Sequence, residues 1–281
     1  FPVSRRPFAE AAFRRAIAAA GECRAADYAA RLADEPDLLA ALIAETSVGE
    51  TYFFRDPAQF DVLRTTVLPA LERAAAGRPL RVWSAGCSTG EEAYSLAMLF
   101  DARGVLERAE LLASDISPRA IQAARRGRYG PWSFRGSDAA WSERFFGRNG
   151  NRWSIDARFR RVDFQVHNLL HGPLGAGAFD LIVCRNVLLY FEREALERGA
   201  AALAAALAPG GWLITSPTDP PLPRDLGLEH VLTPAGIVHR RPAAQPLPEP
   251  AAAPVPTPAP ASAPVVHPPH ARPRREPAPA A

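Results

Sequence analysis

The chain has 281 residues, 48% of them hydrophobic, and its 33 basic side chains, all arginine, face 30 acidic ones for a net charge of +3. That length supports one sizeable core with a smaller accessory unit, and so small a charge argues against a nucleic-acid partner. No apolar run approaches the roughly 20 residues that cross a bilayer, which excludes direct membrane insertion, and the three cysteines, Cys23, Cys87 and Cys184, form neither a disulfide framework nor a CxxC pair for zinc.

The start, Phe1-Pro2-Val3-Ser4-Arg5-Arg6, lacks the charged-then-apolar layout of a secretory signal, so a cytoplasmic address is expected. A monomer is the default expectation. Residues 1–76 read as a helical unit: Leu38, Leu39, Leu42 and Ile43 share one face, and Phe60, Leu63, Val67 and Leu71 recur at spacings of three and four. Asp56 is expected to cap the second of these helices, with Pro57 at the position where a missing N–H costs nothing.

After Gly77 short apolar runs alternate with helical stretches. Leu80 to Ala85 reads as a strand, the segment after Gly90 as a helix, Leu111 to Ser114 as a second strand and Pro118 to Arg126 as a helix. Phe179 to Cys184 reads as a third strand, Glu192 to Leu207 as an Ala-rich helix and Trp212 to Thr215 as a fourth strand. Such alternation argues for an α/β fold with a parallel sheet covered on both faces. Residues 141–166 break the rhythm: Asn149-Gly150 between apolar alternations signals a hairpin, so a small antiparallel β insertion is expected within a domain spanning 77–241. From Pro242 onward Pro and Ala dominate, with 14 of the 29 prolines in the last 40 residues, and 242–281 is expected to be a disordered linker.

The chemistry concentrates at the strand ends. Gly86 and Gly90 follow the first strand and open the next helix, where backbone approaches a ligand closely and positive φ is often needed. Asp115 ends the second strand at the distance where an acidic residue accepts hydrogen bonds from a ribose diol; capping the next helix is the alternative, a task Ser117 can also perform. Asn168 and Asn186 follow two later strand segments. With Gly86, Glu91 and Asp115 they line one edge of one sheet. Before the sheet, Glu50-Thr51-Tyr52-Phe53-Phe54-Arg55-Asp56 gathers hydroxyl, aromatic and guanidinium groups, and Arg55 can hold a carboxylate bidentately or form a structural ion pair.

These segments resemble the CheR-type methyltransferases that esterify glutamates on bacterial chemoreceptors. The likeness covers roughly residues 30–217. Glu50 to Asp56 looks like the family's Asn-Glu-Thr-x-Phe-Phe-Arg signature, and Trp83 to Glu92, Ala113 to Ile116, Asn168-Leu169 and Cys184-Arg185-Asn186-Val187 through Tyr190-Phe191 match in order. The resemblance implies a Rossmann-like class I methyltransferase sheet with an N-terminal helical domain. It implies S-adenosyl-L-methionine as cofactor, contacted by Thr51, Arg55, Glu91, Asp115, Asn168, Leu169, Asn186 and Val187. It implies chemoreceptor cytoplasmic helices as partners, with a β insertion that in some members docks the receptor's C-terminal tail. Two departures stand out: Gly49 replaces the family's usual Asn, and Ser216-Pro217-Thr218-Asp219 replaces the Gly-His-Ser-Glu ending of simple members, a variant in which the Pro-rich tail tethers a further domain.

A carboxylate acceptor is already a nucleophile at neutral pH, so no catalytic base and no metal are expected. Arg55 and Tyr190 are the expected catalytic pair, flanking the transferred methyl. A nucleic-acid amine methylase is disfavoured because Arg185-Asn186-Val187-Leu188 stands where its Asp/Asn-Pro-Pro-aromatic motif belongs, and Asp219-Pro220-Pro221-Leu222 follows a later strand. A dehydrogenase is disfavoured because Gly86 to Gly90 lacks the Gly-x-Gly-x-x-Gly spacing. A catalytically weak module that binds adenosylmethionine or receptors to regulate signalling is the alternative outside enzymes, favoured by Gly49.

Overall fold

The computed structural model describes residues 6–22, 24–136 and 143–243. The linker expected over 242–281 lies outside them but for its first two residues, as do Cys23 and Trp141. Three short helices come first: α1 (Arg6–Ala19), α2 (Ala25–Leu32) and α3 (Pro36–Thr46). α1 packs on α3, and Phe13 meets the buried ring of Tyr28 edge-on at 5.7 Å. The expected apolar stripe of α3 is only half-buried, with Leu39 43% exposed, because this layer is thin and Ile43 faces a cleft instead of a core.

The next helical stretch is α4 (Pro57–Val62), a π-helical turn (Leu63–Val67) and α5 (Leu68–Ala75). Phe60, Leu63, Val67 and Leu71 are buried as their spacing requires. Pro69 accounts for the widened turn: it offers no N–H to the Thr65 carbonyl, and its ring pushes that carbonyl aside. Asp56 departs from expectation. It adopts a left-handed conformation, φ 57°, and does not cap α4; its carboxylate turns instead to the buried guanidinium of Arg185, at 2.8 Å. A buried cation attracts a carboxylate more strongly than a helix-end amide does.

Seven strands form the main sheet in the order β6-β2-β1-β7-β8-β10-β9. β1 (Leu80–Ala85), β2 (Ala109–Asp115), β6 (Asp163–Val166), β7 (Phe179–Cys184) and β8 (Leu207–Thr215) are parallel. β9 (Glu229–Thr233) and β10 (Gly236–Arg240) add an antiparallel hairpin at one edge. Helices α6 (Glu91–Ala102), α7 (Pro118–Arg126) and α8 (Arg193–Ala206) connect the parallel strands. Alternate residues serve opposite faces: Val82, Leu181 and Val183 join one core cluster, while Trp83, Ile182 and Cys184 join the other. Burying each such Leu, Ile or Val contributes about 1.5–3 kcal/mol, which makes β1 and β7 the spine of the fold.

The antiparallel insertion exists, with different bounds. Its sheet runs β3-β5-β4, from β3 (Arg128–Tyr129), β5 (Arg152–Ile155) and β4 (Phe146–Asn149), and Gly150 takes φ 58° in the β4–β5 turn. The expected bounds of 141–166 are corrected at both ends: Asp163–Val166 pairs in parallel with β2 in the main sheet, and Arg128–Tyr129 supplies the third strand. Among the described residues, no helix is long and apolar enough to cross a membrane.

Candidate functional site

The loops leaving β1, β2, β6 and β7 wall a cleft of about 700 Å³, closed on its other sides by α3, α7 and the turn at residues 49–55. Ligands of open α/β sheets lie outside the carboxyl ends of the strands, and small-molecule sites run from about 300 to 1,000 Å³, so position and size agree.

At the β1 exit Gly86 takes φ 78°, and a Cβ there would stand 2.3 Å from Val187 Cγ2. Only glycine lets the β1 and β7 exit loops close on each other. The Gly86 and Cys87 amides both donate to the Ser114 carbonyl, at 2.7 and 2.9 Å. Asp115 then accepts the Ser88 amide on Oδ2 and the Ser117 amide on Oδ1, each at 2.9 Å. Burial pushes its pKa up against those hydrogen bonds. Ser117 caps α7 through Ala120 N–H, at 3.3 Å, so Asp115 is spared that task, and each of its oxygens, holding one of those amides, retains capacity to accept another hydrogen bond at the cleft.

Asn168, Leu169, Asn186 and Val187 also line the cleft. Both asparagines shape loops as well. Asn168 Oδ1 accepts the Leu170 amide at 3.0 Å, and Asn186, at φ 58°, donates through Nδ2 to Ser216 Oγ at 3.0 Å and Thr218 Oγ1 at 2.8 Å. Thr51, Arg55 and Tyr190 line the cleft as well. Arg55 Nη1 donates to the Glu50 carbonyl at 3.0 Å, and its guanidinium lies 5.8 Å from the Tyr52 ring centre.

Glu91 is the exception. It does not reach the wall: its buried carboxylate accepts Thr89 Oγ1 at 2.6 Å and Ser133 Oγ at 2.9 Å, one layer behind the cleft. Successive residues of a helix diverge by about 100°, and in the first turn of α6 it is Glu92 that faces the cleft. Ser84 Oγ donates to Glu92 at 2.7 Å and Arg185 Nη1 lies 3.6 Å away; burial nonetheless pushes its pKa up to about 7.

Three further residues escaped the sequence reading: Glu92, Arg185 and Asp219. Arg185, its side chain 1% exposed, donates to Asp56 and to the Arg55 carbonyl, and so ties the pre-sheet turn to the β7 exit. Its position directly after six buried strand residues was the available signal. Asp219 accepts the amides of Asn186, Leu189 and Ser216, at 2.8, 3.1 and 2.9 Å, and so fixes the loop that carries Asn186 and Val187.

A family model for the CheR methyltransferase SAM-binding domain matches residues 49–218, the stretch that builds nearly all of this cleft. The chain belongs to the CheR methyltransferase family. Its cofactor is S-adenosyl-L-methionine. Among CheR-related proteins, the probable biofilm formation methyltransferase WspC of Pseudomonas putida is 38% identical over 227 residues, covering 79% of this chain and 53% of that protein. Chemotaxis protein methyltransferase 1 of Pseudomonas aeruginosa is 38% identical over 176 residues, 59% of this chain and 64% of that protein. The chemotaxis protein methyltransferase of Listeria monocytogenes is 35% identical over 193 residues, 68% of this chain and 73% of that protein. The chain spans about half the length of the WspC proteins it matches.

The cleft fits a CheR cofactor. Asp115 offers acceptors for a diol, Glu92 and Asp115 suit a cationic nucleoside, and Ile43, Ala120 and Leu169 offer apolar surface for a flat base. Gly49 lines the cleft too, and a Cβ built there meets only Ser88 Oγ, at an ordinary 3.6 Å, so the backbone at this position does not itself require glycine.

Proposed function

We propose that this chain transfers the methyl group of S-adenosyl-L-methionine to glutamate side-chain carboxylates of chemoreceptor-type proteins, forming methyl esters in the cytoplasm. One observation carries the reading: Thr51, Arg55, Asp115, Asn186 and Tyr190 all line one cleft at the carboxyl ends of the parallel strands, with a guanidinium among them.

Bound there, the cofactor supplies an electrophilic methyl group. Asp115 would hold the ribose diol and Glu92 would face the cationic portion, while Asn168, Leu169, Asn186 and Val187 would line its binding space. A glutamate acceptor, with a reference pKa of about 4.3, arrives already ionised, and no residue need take its proton. The chain's own work is to orient and to exclude water. Arg55 presents a planar fork that pairs with a carboxylate, and Tyr190 lines the same cleft. Holding reacting groups in line supplies up to about 7–11 kcal/mol in favourable cases, enough for a catalyst without an acid–base pair. The names of the Pseudomonas and Listeria relatives support a chemotaxis or biofilm signalling context.

Gly49 favours a second reading, a weakly catalytic module that binds cofactor and receptor to regulate signalling. Labelled cofactor incubated with chemoreceptor-containing membranes separates the two. Ester formation yields protein-bound label that mild base releases as methanol, and Arg55→Ala removes most of it even at cofactor concentrations high enough to saturate the variant. Base-stable label contradicts the carboxylate acceptor; no label at all favours the regulatory module.

A further inference from the structure

The turn at residues 49–55 carries Thr51 and Arg55 but has no helix or strand of its own to hold it. Its backbone groups must therefore be satisfied from outside. Two of those partners, for the Thr51 carbonyl and the Phe53 amide, come from one short segment, the 3-10 turn Pro131–Phe134 and the residue after it, which leads from β3 toward the rest of the insertion; Ser88, Ser95 and Arg185 serve Gly49, Phe54 and Arg55. The Phe53 amide donates to the Ser133 carbonyl at 2.9 Å, and Ser133 Oγ is anchored in turn by Glu91. That anchorage gives Glu91, displaced from the cleft wall, a structural task.

Arg135 makes the larger set of contacts. Nη1 donates to the Thr51 carbonyl at 3.2 Å and to the Trp132 carbonyl at 2.8 Å, while Nη2 donates to Glu50 Oε1 at 3.0 Å. Its guanidinium lies over two rings, Tyr52 at 4.1 Å from the ring centre and Trp132 at 4.4 Å. Forked hydrogen bonding combined with two ring contacts is an arrangement that lysine cannot reproduce. Arg135 is not on the cleft wall, yet three of the residues it holds are: Glu50, Thr51 and Tyr52. Through Glu50, whose carbonyl accepts Arg55 Nη1, it also fixes the base from which Arg55 reaches inward. The outer layer of this stack is Trp132, whose ring is 69% exposed and so does little to bury core surface. Behind the segment, Phe134 packs on Phe53 at 5.1 Å and on Trp153 of β5 at 4.9 Å, so the clasp is continuous with the antiparallel insertion.

We propose that Arg135 is a positioning residue for cofactor binding, holding the Glu50–Thr51–Tyr52 turn in its binding geometry from outside the cleft. The proposal rests on the reading of Thr51 and Arg55 as cofactor contacts. Without Arg135 the Thr51 carbonyl and the Glu50 carboxylate turn to water and the turn samples other shapes. Apparent affinity falls in proportion to the competent fraction, so a turn correctly placed about one-tenth of the time binds about tenfold more weakly.

The test is calorimetric titration of S-adenosylhomocysteine into the full chain, as wild type, Arg135→Ala, Arg135→Lys, Glu50→Ala and the Arg135→Ala/Glu50→Ala double variant, with thermal unfolding recorded for each. Arg135→Ala is expected to weaken binding about tenfold while remaining folded, and Arg135→Lys to recover part of the loss. The double variant is expected to be little worse than Arg135→Ala, the non-additivity of two residues acting as one. Wild-type affinity in folded Arg135→Ala, or strictly additive losses, overturns the proposal. Should Arg135→Ala fail to fold, full affinity in both Glu50→Ala and Arg135→Lys overturns it equally. A wild-type chain that takes up no ligand overturns the cofactor reading itself, a result distinct from an insensitive Arg135.

Discussion

Glu92 has its pKa pushed up to about 7 by burial, against the pull of Arg185 and the Ser84 hydroxyl and with Asp219 adding a like charge. A carboxyl that binds its proton more tightly folded than unfolded stabilises the fold fully below its unfolded value of 4.5, and that contribution is lost as pH rises through about 7. Wild-type melting temperature is therefore expected to fall between pH 5 and 8 relative to Glu92→Gln. Over the same window affinity for adenosylmethionine should climb in wild type, as the carboxylate ionises opposite a cation, and stay level in the variant; parallel pH profiles for the two proteins would refute the assignment. Single residues were also where the sequence was least legible. The spacing of Glu91 and Glu92 places an acidic group at the start of α6, but which of the two faces the cleft is decided by helix phase and by Ser84, Arg185 and Ser133, all distant in sequence. Asp56 failed as a cap for the same reason: Arg185, 129 positions away, takes its carboxylate. Asp115 and Ser117 were legible because their competition is local, and the short-range geometry of the β2–α7 junction resolves it.

Among the elements, the β1 and β7 exits meet where glycine alone fits. Gly86→Ala adds the left-handed penalty of about 1–2 kcal/mol and forces a methyl into Val187, an overpacking cost of about 1–3 kcal/mol more. Gly104, at φ 73° with nothing within 4 Å of a built Cβ, isolates the backbone part. Denaturant unfolding should rank Gly86→Ala well below Gly104→Ala, and Val187→Ala in the Gly86→Ala background should recover part of the gap. Equal losses at the two glycines would show that the loops can separate. The elements nearest the site were the most legible, since buried parallel strands read as apolar runs and their helices as periodic ones. The failures lie at the edges. β6 sits beside the insertion in sequence but in the main sheet in space, a pairing choice that alternation cannot reveal. β3 is two residues long, and the hairpin of β10 with the partly exposed edge strand β9 follows Pro217, Pro220, Pro221 and Pro223, with Leu232 84% exposed.

For the molecule as a whole, the sheet order β6-β2-β1-β7-β8-β10-β9 sets the ends of β1, β2, β6 and β7 toward one cleft, and the N-terminal turn and the β7 exit loop converge on it. The alternation of strands and helices foretold that convergence; the clasp made by Ser133 and Arg135 could not be foretold, because its partners lie about 80 positions apart and none belongs to a regular element of the sheet. The central claim is that this cleft is the adenosylmethionine site, with Asp115 on the ribose. Titrating adenosylhomocysteine into the full chain and into Asp115→Asn tests it most directly: the account predicts one ligand per wild-type chain and an affinity about tenfold or more lower in the variant, the loss expected when charge-assisted hydrogen bonds are removed. Uptake by neither protein, or equal uptake by both, would contradict it.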